Sequence, residues 1–185
     1  MRAALICLSL VATNPATHAL PAQEEPARSG PFVRFGVGLG NASSHDTYGS
    51  HADKTGVLGG VHVGIGSRRL QALVEAHWQP FKLPVPFRDD AVRLVYLLGS
   101  LQWFPGRQAY VRAGLGLARG SWSGPAGRRT ENYPAAGLSF GVEIRTLGRW
   151  LAYEAWWRGA TGLCFENCSF AGTRVLGAQA LVPFY

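Results

Sequence analysis

After residue 30 the sequence divides into eight short stretches in which apolar residues alternate with polar or small ones. Residues 70–79 show this clearly, because Leu70, Ala72, Val74, Ala76 and Trp78 alternate with polar neighbours and Leu73. A period of two is typical of a β-strand with one apolar face. The connections alternate between long (41–56, 80–90, 119–134, 160–172) and short (67–69, 105–107, 147–149). This rhythm predicts an up-and-down antiparallel barrel with short turns at one rim and long loops at the other.

The composition indicates that the apolar face of this barrel is in contact with lipid. Hydrophobic residues make up 47% of the chain and charged residues only 16%, whereas about 25% is usual in a soluble domain. No apolar run approaches the ~18 residues that a membrane-spanning helix needs. We therefore expect an all-β fold, namely an eight-stranded antiparallel up-and-down transmembrane β-barrel with four long extracellular loops and three short periplasmic turns.

The N-terminus has the pattern of a secretory signal. Arg2 precedes an apolar run at residues 3–12, and small residues follow. The pattern predicts a signal peptide at 1–19, with cleavage after Ala19 or alternatively after Ala22. Residues 20–30 are polar and contain proline, which predicts a short periplasmic tail before a barrel at 31–185.

Aromatic residues cluster at the two ends of the predicted strands. Such clusters are typical of the two membrane–water interfaces, where amphipathic rings are favoured. Beside the short turns or the C-terminus lie Trp103, Trp150, Phe184 and Tyr185, and beside the long loops lie Trp78, Trp157 and Tyr133.

The opposite faces of the strands carry charges that we expect inside the barrel. They are Arg34, Glu75, Arg112, Glu143, Arg145, Glu154 and Arg158. Eight strands enclose just enough space for side chains to fill, and buried charges are tolerated when they are paired. The pattern predicts a salt-bridged plug. A gated narrow pore remains the alternative.

Other candidate sites carry weaker signals. Cys164 and Cys168 lie close together in the last loop, and an exported protein meets oxidising conditions, which predicts a disulfide. His45, Asp46, His51 and Asp53 could bind a divalent cation, but we favour a flexible solvated loop as the explanation. We predict no metal and no cofactor.

The net charge of +7 does not indicate nucleic-acid binding, because the basic residues form no stripe. Outer-membrane lipids and the phosphates of lipopolysaccharide are the expected anionic partners.

Three segments carry a resemblance to a known family. They are the opening FVRFGVGLG, the strand end LQWFPGR and the final strand VLGAQALVPFY. Together they resemble the small eight-stranded barrels of the OmpA/OmpX type. The resemblance implies a location in the outer membrane of a Gram-negative-type bacterium. It also implies recognition of the C-terminal strand by the barrel-assembly machinery. Pro183 interrupts the alternation and Tyr185 follows Phe184, which leaves the register of the last strand open.

Some barrels of this size are lipid A deacylases, which use a His, a Ser two residues later and a Glu on a nearby strand. Here His62 is followed at that spacing by Gly64, and His77 by Gln79, so neither offers a nucleophile. We therefore expect no enzyme and favour a structural or interaction role. A narrow pore, a lipid-modifying enzyme and a soluble lipocalin- or avidin-like barrel with its apolar face inward remain as alternatives.

Overall fold

The computed structural model describes residues 28–45, 51–79, 83–84, 91–124, 127–146, 149–161 and 172–185. These residues form nine strands and contain no helix long and apolar enough to cross a membrane. The strands are β1 (Gly30–His45), β2 (His51–Gly66), β3 (Leu70–Trp78), β4 (Leu83–Pro84), β5 (Ala91–Trp103), β6 (Ala109–Gly124), β7 (Gly127–Thr146), β8 (Arg149–Thr161) and β9 (Gly172–Phe184).

Eight of the strands close into an antiparallel barrel. Each pairs with its neighbour in the sequence, except that β3 pairs with β5 across the two-residue β4. The pairing of β1 with β9, from Val33 opposite Phe184 to His45 opposite Gly172, closes the ring. Closure leaves no unpaired sheet edge within the barrel wall. The predicted fold class is confirmed.

The apolar face of the wall points outward. Leu115 is 74% exposed, and Leu39 and Ile65 are each 62% exposed, whereas inward residues such as Arg34 and Gln102 are completely buried. Exposed apolar side chains on so many strands suit a hydrocarbon environment. This arrangement is opposite to that of a soluble barrel that holds an apolar ligand in its interior.

Two hairpins are longer than the sequence predicted. β1 and β2 continue through the expected loop 41–56 until His45 lies opposite His51. β6 and β7 continue through the expected loop 119–134 until Gly124 lies opposite Gly127. The predicted loop limits were wrong there, because the pairing of backbone amides and carbonyls continues without an alternating apolar face. Among the described residues, 127–134 of β7 pair with β6 alone.

The last strand keeps a regular register through its proline. Pro183 lies opposite Arg34, and Phe184 lies opposite Val33. On the other side, the pairing with β8 ends at Leu181. Pro183 therefore occupies a position with one paired neighbour, where its missing N–H costs no bond to β8.

Candidate functional site

The lumen is narrow, and glycines on its wall make room for large side chains opposite. A Cβ on Gly141 would lie 2.3 Å from Cζ of Tyr110, and a Cβ on Gly60 would lie 2.6 Å from Nδ1 of His77. Both distances are shorter than van der Waals contact allows. Glycine at these positions lets Tyr110 and His77 cross the lumen and contact groups on other strands.

The first group of inward charges, which we call the turn-end cluster, lies near the short connections and the chain ends. Its centre is Glu143 on β7. Oε1 of Glu143 lies 2.9 Å from Nη2 of Arg34, and Oε2 lies 2.8 Å from Nε of Arg28. Arg34 also donates to the amide oxygens of Gln71 at 2.8 Å and Gln102 at 2.9 Å. All five side chains are buried, so each charge has a partner that compensates for its lost hydration.

Two members of this cluster were expected elsewhere. Arg28 belongs to the predicted periplasmic tail, but its guanidinium enters the barrel and its Cζ lies 4.0 Å from the ring centroid of Phe104. Tyr185 was predicted as an interface aromatic, but its hydroxyl donates to Glu143 at 2.8 Å. The ring of Tyr185 also lies 6.0 Å from that of Phe32, an inward residue. Arg28 precedes β1 and Tyr185 follows β9, so the alternation along the strands does not predict which way either side chain points.

A second group, the central cluster, surrounds Arg112 of β6. Its Nη2 lies 2.6 Å from Oε1 of Glu154, and its Nε lies 3.0 Å from Oε1 of Glu75. The second contact is an ion pair rather than a hydrogen bond, because Nε has no hydrogen-bond partner by geometry. Glu154 also accepts hydrogen bonds from Tyr110 at 2.8 Å and Gln179 at 2.6 Å.

Glu75 links the central cluster to two histidines. Nε2 of His77 lies 2.8 Å from Oε2 of Glu75, and Nε2 of His62 lies 3.7 Å from the same oxygen. Nε2 of His77 also lies 2.7 Å from Nη2 of Arg158. One ring nitrogen cannot donate to Glu75 and accept from Arg158 at the same time, so its protonation decides which contact is a hydrogen bond.

The set of His62, Glu75 and His77 brings three ligand-type atoms within 4.8 Å of one another. Arginine guanidinium groups already occupy this set. Nη1 of Arg112 lies 3.3 Å from Nδ1 of His62, and Arg158 contacts His77. An arginine donor at Nδ1 requires an acceptor there, which places the proton of a neutral His62 on Nε2, the atom a metal would need. The set therefore fits an ion-pair network better than a cation site.

The same set lacks the geometry of a hydrolase. Ser100 donates to Oε1 of Glu75 rather than to a histidine, and it is buried in the lumen. A serine nucleophile needs an adjacent base that takes its proton and a substrate that can reach it. Ser100 does contact a carboxylate base, Glu75, but its burial in the lumen keeps it out of reach of a lipid substrate.

Six of the seven charges predicted for the lumen are buried in these clusters, and Arg145 is not. Arg145 shares the inward parity of Glu143, but it is exposed because β7 has reached the rim of the barrel. Among the described residues, four buried arginines face three buried glutamates. With neutral histidines, these described groups therefore sum to one excess positive charge.

The aromatic residues differ in their facing. Trp78, Trp103, Trp157 and Phe184 project outward and are more than one-third exposed, and Trp150 is half-buried. Tyr133, expected beside them, is buried, and its hydroxyl donates to Glu131.

Of the other candidate residues, Cys164, Cys168 and Asp46 lie outside the described residues. His45 and His51 are strand partners, and Asp53 is exposed and lies opposite Ser43.

The sequence analysis missed Arg28 and most of the uncharged members of the clusters. The uncharged members lie at inward positions of the alternation, but the predicted network was limited to charged residues; Arg28 precedes β1 and has no such position. The missed polar partners are His62, Gln71, His77, Gln102, Tyr110 and Gln179.

Comparison with known proteins supports the fold. No family model matches the sequence, and no curated protein matches it significantly. The solved structures that match include Neisserial surface protein A (NspA), with 18% identity, coverage of 84% of this chain and 98% of that chain, and a TM-score of 0.58. Ail, the attachment invasion locus protein of Yersinia pestis, matches with 9% identity, 84% and 99% coverage and a TM-score of 0.55.

The N-terminal β-barrel domain of Pseudomonas aeruginosa OprF also matches, with 15% identity, 84% and 98% coverage and a TM-score of 0.50. At these identities the likeness concerns the fold. The chain has the fold of the small eight-stranded outer-membrane β-barrels.

Proposed function

We propose that the protein spans the bacterial outer membrane as a barrel with a closed lumen and acts through its surface hairpins, in a structural or interaction role. The observation that carries this proposal is the stack of paired charges across the lumen. Arg34 with Glu143 and Arg112 with Glu154 cross-link strands that are not neighbours in the wall, β1 with β7 and β6 with β8. An open path would require these contacts to separate.

The energy of separation supports a closed state. Breaking one buried ion pair costs about 3–5 kcal/mol when the partner charge stays buried. Each ~1.4 kcal/mol is a factor of ten in population. A spontaneously opened lumen would therefore be roughly a hundredfold or more rarer than the closed one.

The two long hairpins support a role at the surface. β6 has 16 residues, which corresponds to roughly 54 Å of extended chain. At a tilt near 45° it rises roughly 38 Å, well above an apolar band of about 25 Å. Because residues 127–134 of β7 pair only with β6 among the described residues, they present a strand edge of the kind that partner strands add to.

Exposed arginines near one end of the barrel suit contact with the anionic surface of the outer membrane. Arg93, Arg119 and Arg174 are exposed near the end of the barrel that bears the long hairpins. There they would meet lipopolysaccharide phosphates. We further propose that residues 1–19 direct export and that the C-terminal strand β9, with Phe184 outward, engages the barrel-assembly machinery.

A conductance measurement tests the closed lumen. The mature protein is first shown to be folded by its heat-dependent mobility on SDS gels and is then inserted into planar lipid bilayers. We expect no steady current steps from the wild type. The Arg112→Ala/Glu154→Ala variant, which removes one pair without leaving either charge, is expected to give measurable steps. Stable steps from the wild type would instead support the narrow pore.

A further inference from the structure

A small pocket lies beyond the central cluster, toward the end of the barrel with the long hairpins. It is lined by Gln79, Trp156 and Arg158, by the apolar Leu58 and Val175, and by His77, through which it adjoins the central cluster. Gln79 directly follows β3, which marks that end. We call it the loop-end pocket. It is separate from the contacts of Glu143 and Glu154 described above.

Three hydrogen-bond donors of the loop-end pocket have no partner among the described residues. They are Nη1 of Arg158, Nε1 of Trp156 and Nε2 of Gln79. The three side chains are 2%, 5% and 3% exposed. Buried donors are almost always paired, because an unpaired one loses its hydration without compensation. The amide oxygen of Gln79 also lacks a partner, so no protein contact fixes the orientation of this amide.

The electrostatic balance at Arg158 favours an anion. The ion-pair contact recorded for this arginine is with Glu75, where Oε2 lies 3.7 Å from its Nη2. That carboxylate is shared with Arg112, whose Nε lies 3.0 Å from Oε1. The buried charged groups that the structure describes in the lumen, four arginines and three glutamates, sum to one excess positive charge. One monovalent anion would neutralise it, whereas a cation would add to it.

The size of the pocket limits the ligand. The space between the side chains holds about one water-sized particle. Leu58 and Val175 are buried in the same pocket and offer no polar group. A lipopolysaccharide phosphate with its substituents is too large for this space.

We propose that the loop-end pocket binds a single monovalent anion of halide size through Arg158, Trp156 and Gln79. The guanidinium supplies the charge and one N–H donor, and the indole and the amide supply two further donors. The site is independent of the proposed surface role, because it lies inside the barrel wall.

The indole N–H of Trp156 gives a direct test. The full mature barrel, labelled with ¹⁵N-tryptophan and folded in detergent, is titrated with sodium chloride and separately with sodium acetate, with sodium sulfate keeping the ionic strength constant. The Trp156→Phe variant assigns the resonance. We expect a saturable shift of the Trp156 signal with chloride and none with acetate, which is too large for the pocket, while Trp157, its lipid-facing neighbour, stays unmoved.

The two titrations test the size of the anion. Saturation by chloride supports the halide site, whereas saturation by acetate alone would overturn it. The Arg158→Gln variant should weaken the binding at least tenfold. If neither anion shifts Trp156, or if Trp156 and Trp157 shift together without saturation, the proposal is overturned.

Thermal unfolding provides a second readout that does not depend on the labelled indole. The saturating anion should raise the unfolding midpoint of the wild type and of Trp157→Phe, because it binds the folded state alone. The same anion should have no such effect on Trp156→Phe. Equal stabilisation of both variants would overturn the proposal.

Discussion

The hydroxyl of Tyr185 donates a 2.8 Å hydrogen bond to Oε1 of Glu143, the same oxygen that Nη2 of Arg34 contacts at 2.9 Å. The last residue of the chain thus joins an ion pair formed by β1 and β7. The C-terminus therefore helps to close the lumen at the end that carries the short turns.

Removing this hydroxyl should destabilise the barrel. Tyr185→Phe leaves the charge of Glu143 with one donor fewer, and a hydrogen bond to a charged group contributes about 1.5–3 kcal/mol. We expect a loss in this range in the free energy of unfolding, measured by urea titration with tryptophan fluorescence. Tyr153→Phe, on the outer face, is the matched control and should change it by less than about 0.5 kcal/mol. Equal effects would contradict the assigned contact.

The central ion pair should show strong coupling. Arg112→Met leaves Glu154 and Glu75 buried without their arginine and should cost about 3–5 kcal/mol. Glu154→Gln keeps the size of the side chain and removes its charge. In a double-mutant cycle, the double variant should be more stable than the sum of the single effects predicts, by about 0.5–3 kcal/mol. Simple additivity would show that the 2.6 Å contact between Arg112 and Glu154 contributes nothing.

Two glycines on neighbouring strands should respond differently to alanine. A Cβ on Gly116 would lie 2.0 Å from the carbonyl oxygen of Leu97, whereas a Cβ on Gly99 meets nothing nearer than 3.9 Å. Gly116→Ala forces the backbone apart and should cost about 1–3 kcal/mol. Gly99→Ala should be neutral or stabilising by up to ~1 kcal/mol. The folded fraction on unheated SDS gels and the urea midpoint measure the stability of both variants. A neutral Gly116→Ala would contradict the close approach of Gly116 to the backbone of Leu97.

A charge on the outer wall should be costly in proportion to its depth. Leu115 lies near the middle of β6 and is the most exposed large apolar residue of the described wall. Leu115→Arg should cost about 2–4 kcal/mol in a bilayer. Ser121→Arg, near the end of the same strand, should cost about 0–1 kcal/mol. Unfolding in lipid vesicles followed by fluorescence compares the two variants, and equal costs would contradict a membrane around β6.

Alternation predicted which face of each strand lies inside wherever the wall is apolar on one side. It placed Glu75, Glu143 and Glu154 in the lumen because a two-residue period fixes facing. It did not predict the strand ends at His45 and Gly124. Beyond the membrane, paired strands are not in contact with lipid and therefore need no apolar face.

The partners inside the lumen were beyond the reach of the sequence. Which charges meet depends on the stagger between strands, which sets, for example, that Arg112 of β6 reaches Glu154 of β8. Arg28 and Tyr185 lie outside the alternating stretches, so no period assigned them a side. The donors of the loop-end pocket became visible only when Gln79, Trp156 and Arg158 were seen to share a space.

The seam between β1 and β9 also governs the order of assembly. Strand β1 pairs on one side with β9, so the ring cannot close before β9 has been exported. A partial sheet would carry two open edges, whose amides and carbonyls lipid cannot satisfy. The unfinished barrel must therefore stay outside the hydrocarbon, or pair its open edges with strands of another protein, until β9 pairs with β1.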